Sequence, residues 1–210
     1  MSSRQENHMS GKGEVQQQRI VNEADRLFYQ GGYENTSFAT IADAVGISRG
    51  NFYYHFKSKD EILGAVIEHR IRDIQQMLNE WTAKYPQPRQ RVLHFIDILS
   101  DNQEAIKNHG CPIGSLCTEL AKLGHGMRGD AGKMFELMHN WLTLQFKQLG
   151  LGRDASQVAQ HLQARTQGIA TITNAFADQN FLRREVRHLK HWLDELIAQH
   201  QADNSPRPSS

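Results

Sequence analysis

One segment of the sequence, from Thr36 to Lys59, constrains the fold more than any other. Ser37 is a favourable N-cap, and the apolar residues that follow recur at helical spacing, which predicts a helix from about Phe38 to Ala44. These apolar residues are Ile41, Ala42 and Val45. Gly46 comes next and is able to adopt the left-handed conformation that ends a helix. The segment therefore starts with a short helix and a tight turn.

A second short helix, from Arg49 to Phe56, is predicted directly after the turn. Ser48 is its N-cap, and Phe52 and Phe56, four residues apart, lie on the face that turns inward. The outward face carries hydrogen-bonding side chains, namely Arg49, Asn51, Tyr53 and His55, with Lys57 and Lys59 just beyond. Two short helices joined by a glycine turn, the second with a donor-rich outer face, form a helix-turn-helix.

Spacing alone does not distinguish a DNA-binding corner from the corners of other all-helical proteins. The outer face favours DNA, because Arg, Asn, Tyr and His bond to base edges or phosphates, whereas an ordinary solvated face carries Glu and Lys. No acidic residue occurs between Asp43 and Asp60. We therefore predict that this face binds DNA. The alternative is an all-α small-molecule binding protein or enzyme whose helix corner is coincidental.

The same segment resembles the DNA-binding signature of TetR-type transcriptional repressors. The match is carried by I-A-x-A-V-G-I-S-x-G-x-F-Y-Y-H-F-K-S-K-D-E-I-L and extends over about Gln16 to Arg72. The resemblance implies an all-α fold with a three-helix DNA-binding domain over 14–74. A larger ligand-binding and dimerisation domain is expected over 75–200, with flexible tails at 1–13 and 201–210.

The resemblance also assigns DNA contacts within the helix-turn-helix. Contacts to base edges or the adjacent backbone are expected from Arg49, Gly50, Asn51 and Tyr53. Contacts to phosphates are expected from Ser37, Thr40, His55 and Lys59. One such unit reads too few base pairs for specificity, so two copies are expected on double-stranded DNA with a palindromic operator.

Helical periodicity continues through the rest of the chain. The further helices are predicted at about 14–31, 59–85, 91–106, 113–123, 131–149, 155–177 and 182–200. Pro86 and Pro88 end the second of these, because proline cannot continue the helical hydrogen bonds. No strand pattern survives beside the helical one, which supports an all-α fold.

Charge and composition describe an ordinary globular chain. The net charge is +1, and the segment before Asp73 has as many acidic as basic residues, so DNA affinity must come from where the charges lie. No run of about 18 apolar residues occurs, and the amino terminus lacks the apolar core of a signal peptide. Two cysteines do not form a disulfide framework. These features predict a cytoplasmic protein.

Enzymatic and metal-binding patterns are absent from the sequence. The eleven histidines include no H-x-x-x-H or H-E-x-x-H pair, and His109, Cys111 and Cys117 lack a fourth ligand at regular spacing. There is also no G-x-S-x-G motif and no Gly-rich phosphate loop. We predict that the chain is not an enzyme and that it has neither a cofactor nor a metal.

The segment H-G-C-P-I-G-S-L-C, from His109 to Cys117, resembles part of a TetR-type subgroup whose members respond to reactive electrophiles or small carboxylates. Cys111 lies where those repressors have a sensing cysteine. A thiol at a helix N-terminus feels the partial positive charge of the exposed N–H groups, which favours the thiolate. The alternative is that Cys111 is a packing cysteine. Cys117 is expected to point into the core.

An apolar cavity is predicted between the long helix at 59–85 and the helices that follow it. Its lining is expected to include Met77, Trp81, Phe95, Met138 and Trp141, with the mouth near Cys111 and Glu119. Met and Trp at helical spacing are also common in ordinary cores, so a filled core is the alternative. An inducer in such a cavity acts only through its differential affinity for two states of the protein.

Dimerisation is expected through the last two long helices. Gly168, flanked by Ala164 and Ala170, disfavours a helix unless it permits close helix approach, either between subunits or within one. Leu189 and Leu193 are predicted to lie in the same interface. The resulting prediction is a homodimeric transcriptional repressor that a small molecule or a reactive electrophile releases from its operator.

Overall fold

The computed structural model describes the backbone of residues 3–203 and the side chains of residues 13–202. Within these residues the chain is helical and has no strand, as the sequence predicts. The helices are α1 (Ser3–Gly31), α2 (Phe38–Val45), α3 (Arg49–His55), α4 (Lys59–Lys84), α5 (Pro88–Asp101), α6 (Gln103–His109), α7 (Pro112–Lys122), α8 (Arg128–Gln148), α9 (Ala155–Phe176) and α10 (Gln179–Asp203), with a 3-10 turn at Gly152–Asp154.

Two compact units make up the described chain. The first contains the residues up to Asp73 together with Ser115–Met134, and the second contains Ile74–Gly114 and the residues from Phe135 onwards. The sequence predicts a single boundary near 74 and assigns 115–134 to the second domain. The structure differs because residues 115–134 contact the rest of the first unit. The Met127 methyl group lies close to Gly64, 3.6 Å from where a Cβ atom would be, and the Glu119 carboxylate accepts the backbone N–H groups at 33–34.

Both predicted tails are partly helical. Helix α1 begins at Ser3, although residues 1–13 were expected to be a flexible arm, and α10 extends to Asp203, into the predicted tail 201–210. The physical reason is that adding a residue to an existing helix gains one hydrogen bond at low cost, and Arg4, Gln5 and Glu6 are good helix formers. Residues 1–2 and 204–210 of these tails lie outside the described residues.

The helix predicted over 91–106 is divided in two. Helix α5 ends at Asp101 and α6 begins at Gln103. Asn102 between them has φ −108° and ψ 17°, and its side-chain amide donates to the carbonyl of Ile98 at 2.9 Å. An Asn side chain that bonds to the local backbone competes with the helical pattern, which explains the break.

Arg91 is buried at the start of α5 and closes the C-terminal end of α4. Its guanidinium donates to the carbonyls of Thr82, Tyr85 and Pro86, and to the side chain of Gln145 at 3.1 Å. A cation at this end of a helix is favourable because the last carbonyls carry partial negative charge. The residue therefore fixes the turn between α4 and α5.

Candidate nucleic-acid interface

The turn between α2 and α3 forms as its sequence predicts. The Ser37 hydroxyl accepts the backbone N–H of Thr40 at 3.0 Å, and the Ser48 hydroxyl accepts that of Asn51 at 3.3 Å. Gly46 adopts φ 72° and ψ 37°, and its N–H donates to the carbonyls of Ala42 and Asp43. Two side-chain caps and one left-handed glycine therefore fix the angle between the helices. We call α2 and α3, with this turn, the reading head.

The outer face of α3 carries polar side chains that are open to solvent. Arg49, Gly50 and Asn51 are exposed, whereas Phe52 on the opposite side is fully buried and packs edge-on against Phe38 at 4.5 Å. Neither the Arg49 guanidinium nor the Asn51 side-chain amide bonds to another described side chain or backbone group. Their donors are available to an external acceptor such as a base edge or a phosphate.

Two tyrosines extend this face. Tyr53 stacks on Phe38 at a centroid distance of 4.9 Å, and its backbone carbonyl accepts a hydrogen bond from the ammonium of Lys57. Tyr54 is 76% exposed and was not predicted as a contact residue. The sequence could have indicated Tyr54 as a contact residue. Two adjacent tyrosines on a short helix cannot both pack inward, so one of them is expected to be exposed.

The residues predicted to hold phosphates occupy different settings. Ser37 and Thr40 are exposed, and their hydroxyls bond to each other at 2.7 Å. His55, at the end of α3, is half-buried. The ammonium of Lys59 donates to the carbonyls of Tyr33 and Glu34 at 3.1 and 3.3 Å and lies 4.2 Å from the centre of the Tyr33 ring. Lys59 thus has a structural role that the sequence did not predict.

A carboxylate holds the turn that leads into the reading head. The Glu119 oxygens accept the backbone N–H groups of Tyr33 and Glu34, both at 2.9 Å. Gly32 has φ 87°, and a Cβ atom there would lie 3.0 Å from the same carboxylate. The left-handed φ favours glycine, and a side chain there would crowd the carboxylate. We call this arrangement the Glu119 clasp. Glu119, which was predicted near the cavity mouth, is not among the residues that line the cavity.

Tyr33 completes the turn with a partly buried hydrogen bond. Its hydroxyl donates to Asp60 at 2.5 Å, and the His125 Nε2 atom lies 3.5 Å from the same carboxylate oxygen. Burial, reinforced by Asp60, raises the pKa of Tyr33 far above its ordinary value, so it stays a donor. The hydrogen bond from Tyr33, aided by His125, holds the pKa of Asp60 below its usual range.

The second unit contains a cavity of about 220 Å³. Four predicted residues line it, namely Met77, Phe95, Cys111 and Met138. Trp81 and Trp141 were also predicted but do not line it: their ring centres are 5.9 Å apart, and the indole N–H of Trp141 donates to Thr82 at 3.0 Å. Trp81 lies one turn beyond Met77 on α4, where the indole packs against another tryptophan instead.

The two cysteines have different surroundings. Cys111 lines the cavity, and its sulfur accepts hydrogen bonds from the backbone N–H of Gly114 and the side-chain amide of Gln167, both at 3.4 Å. The Cys117 thiol donates to the carbonyl of Ala131 at 3.4 Å and lies in the first unit. The cavity position agrees with either a sensing or a packing role for Cys111.

The predicted dimer residues divide between the inside and the outside of the chain. Leu189 and Leu193 are 0% exposed within one chain, so the prediction that they form the interface is wrong. The apolar stripe of α10 that contains these two residues packs inside the subunit and forms part of its core. Gly168 on α9 faces open space, and Ile172 and Phe176 on the same side are 43% and 77% exposed.

The segment that contains the reading head is similar to a known protein family. Residues 20–66 match the family described as "Bacterial regulatory proteins, tetR family". An uncharacterised helix-turn-helix regulator of Lactococcus lactis is 29% identical, covering 85% of this chain and 93% of that protein. The repressor DhaR of a Mycobacterium strain is 28% identical over 57% of this chain and 59% of its own length.

The fold of most of the chain has counterparts among solved structures. A TetR transcriptional regulator from Legionella pneumophila has a TM-score of 0.74 at 26% identity, covering 85% of this chain and 95% of that structure. These relatives are named as transcriptional regulators or repressors and not as enzymes. No helix in the described part of the chain is long and apolar enough to cross a membrane.

Proposed function

We propose that this chain, which belongs to the TetR family of transcriptional regulators, represses transcription as a homodimer that leaves a palindromic operator when an effector binds. The observation that carries the DNA-binding part is the exposed face of α3, where the donors of Arg49 and Asn51 have no partner in the described chain. Membership of a regulator family removes the alternative of an enzyme with a coincidental helix corner. We expect the protein to act in the cytoplasm.

The reading head divides its contacts between bases and phosphates. We assign base edges or the neighbouring backbone to Arg49, Gly50, Asn51 and Tyr53, because these residues share the exposed face of α3. Phosphates are assigned to the exposed hydroxyls of Ser37 and Thr40, to His55 and to Lys59. Lys59 reaches a phosphate only by sharing its ammonium with the carbonyls of Tyr33 and Glu34.

The DNA-binding proposal is tested by gel shift of the protein against the DNA upstream of its own gene. A sequence-selective complex that survives competition by unrelated DNA at moderate salt is expected, since non-specific binding weakens steeply with salt. Operator fragments with one half-site scrambled should bind far more weakly, because a dimer uses both half-sites. Equal binding to operator and unrelated DNA would contradict the proposal.

The dimer interface is proposed on the outer face of α9. A glycine in the middle of a helix costs about 1 kcal/mol relative to alanine, and nothing in the described chain lies within 4 Å of a Cβ atom at Gly168. The exposed Ile172 and Phe176 continue this side of the helix. A second copy that covers the three residues accounts for both the glycine and the exposed apolar surface.

Phe176→Glu tests this assignment by light scattering. The variant should have the mass of one 24.0 kDa chain where the unmodified protein has twice that mass, because a carboxylate would be buried without a partner. Val15→Glu is the matched control, since Val15 is an exposed apolar residue on α1 and should leave the dimer intact. A dimeric Phe176→Glu protein would refute the α9 interface.

Release by an effector is proposed to act through α4. Ile74 and Met77 on this helix line the cavity, and the same helix begins at Lys59, whose ammonium holds the turn before the reading head. An effector alters DNA binding only if it favours one arrangement of α4 over another. Cys111 stands at the cavity wall, and Cys111→Ser distinguishes release by thiol-reactive electrophiles, which it abolishes, from reversible release, which it leaves.

A further inference from the structure

The cavity wall contains no charged side chain among the residues that the structure describes. Twelve lining residues are apolar, including Ile74, Phe95, Leu99, Ile106 and Met138. A carboxylate or ammonium brought into such a site loses its hydration and gains no opposite charge, which is a large free-energy penalty. The site therefore selects against charged molecules.

The size of the cavity limits its occupant. A cavity of about 150 Å³ lined by apolar side chains takes one benzene molecule. The present cavity, at about 220 Å³, is larger by the volume of one or two small substituents. A single six-membered ring with short substituents fills it, whereas a fused polycyclic molecule does not fit without rearrangement.

The polar lining residues lie mainly along one stripe of α9, which we call the α9 stripe. Gln163, Thr166 and Gln167 share a helix face through their three- and four-residue spacings. The Gln163 amide donates to the carbonyl of Phe135 at 3.0 Å, and the Thr166 hydroxyl donates to the backbone of its own helix at 2.9 Å. Thr166 has used its hydroxyl hydrogen, and Gln163 one of its two amide N–H groups, on strong backbone acceptors.

Gln167 differs from its neighbours on the stripe. Among the described residues its Nε2 atom donates to one acceptor, the sulfur of Cys111 at 3.4 Å, and a thiol is a weak acceptor. Its Oε1 atom accepts no hydrogen bond from the described chain, and it occupies space that a side chain at Gly114 would fill, 2.3 Å from an added Cβ. The Gln167 amide thus keeps an acceptor and a second N–H for a molecule in the cavity.

We infer that the effector is an uncharged, single-ring apolar molecule with one hydrogen-bonding group, and that Gln167 is the residue that recognises this group. The inference rests on the proposed function, because it identifies the class of molecule that would trigger release. It excludes the small carboxylates that the sequence resemblance allows.

Calorimetric titration of the protein without DNA tests the ligand class. The probes are p-cresol, p-xylene and 4-methylbenzoate, which share one ring and differ in the polar group. At pH 7 p-cresol is neutral, because a phenol titrates near pH 10. We expect p-cresol to bind about fivefold more tightly than p-xylene, as one added hydrogen bond predicts. The carboxylate should bind at least about tenfold more weakly than p-cresol, owing to desolvation.

A matched pair of variants tests the role of Gln167. Gln167→Met keeps the length and volume of the side chain but removes the amide. The affinity of the variant for p-cresol should therefore fall to its affinity for p-xylene, and the affinity for p-xylene should not change. Gln160→Met makes the same change on an exposed part of α9 outside this cavity and should leave both affinities as they were. Circular dichroism confirms that both variants fold.

Three results would overturn the inference. They are equal affinities for the carboxylate and p-cresol, no binding by either neutral probe, and a Gln167→Met protein that still prefers p-cresol over p-xylene. The gel shift separates the inference from the function on which it rests. If p-cresol binds as expected but the operator complex persists, the ligand class holds and effector-driven release fails.

Discussion

The polar groups at the turn before the reading head and the Gln167 side chain in the cavity wall differ in the strength of their hydrogen-bond partners. At the turn, Glu119 accepts two backbone N–H groups and Lys59 donates to two carbonyls, all within 3.3 Å. At the cavity wall, the one acceptor of the Gln167 amide among the described residues is the Cys111 sulfur at 3.4 Å, whereas Gln163 and Thr166 bond to backbone carbonyls. Polar groups with strong partners inside the chain specify a geometry, whereas a polar group with a weak partner is left for a ligand. The predictions below test this distinction.

Glu119→Ala should give the largest loss of stability. Removal of the carboxylate leaves the N–H groups of Tyr33 and Glu34 without their acceptor, which should lower the free energy of unfolding by about 2 to 3 kcal/mol. Urea denaturation followed by circular dichroism measures the change. Glu136→Ala, at an exposed position on α8, is the control and should alter stability by less than about 0.5 kcal/mol. Similar values for the two variants would disprove the clasp.

Arg49→Ala should change DNA recognition and leave stability alone. The guanidinium has no partner in the described chain, so its loss should reduce discrimination between operator and mutated operator by about 1 to 3 kcal/mol. Competition gel shifts give the ratio. Thr40→Ala is the comparison, because loss of a phosphate contact should weaken binding to all sequences about equally. The assignment is wrong if the two variants alter specificity alike.

Tyr33→Phe should destabilise the protein by about 1 kcal/mol or less at pH 7, since Asp60 is largely exposed. The Tyr33 hydrogen bond lowers the pKa of Asp60, so its contribution is complete above the unfolded-state value of about 3.9 and disappears as the pH falls through the lower folded-state value. Unfolding measured between pH 3 and pH 7 should show the two proteins converging at the acid end. A constant difference would mean that Asp60 is not the acceptor.

Gln167→Met should have the smallest effect on stability. The amide has one weak sulfur acceptor, so exchange for a side chain of similar volume should change the free energy of unfolding by less than about 0.5 kcal/mol. The same urea titration measures it. A loss comparable with that of Glu119→Ala would show that the two regions do not differ as described, and would give Gln167 a structural role.

Local features of the fold were predictable from the sequence. Ser37, Gly46 and Ser48 occupy the cap positions expected of them, because a cap depends on residues within a few positions along the chain. The helix boundaries follow to within a few residues for the same reason, apart from the break at Asn102 and the extensions of α1 to Ser3 and of α10 to Asp203.

Features that depend on distant partners were not predictable. Glu119 and the turn at 33–34 are some 86 residues apart, and nothing local to either reveals the clasp. Leu189 and Leu193 form an apolar stripe whether they meet their own chain or another copy, so the pattern cannot choose between core and interface. The prediction that Trp81 lines the cavity was wrong for a similar reason. Helical spacing shows which side of the helix a residue faces but not how far a cavity extends along it.

The close approach of Gly114 and Gln167 has a consequence for substitutions at either position. A methyl group at position 114 would collide with the Gln167 oxygen, so any larger residue there must displace that amide and change the polar surface that a ligand meets. Neither residue belongs to the reading head. If the proposed function holds, paired substitutions at 114 and 167 should change which molecule releases the protein and leave its DNA contacts unaltered.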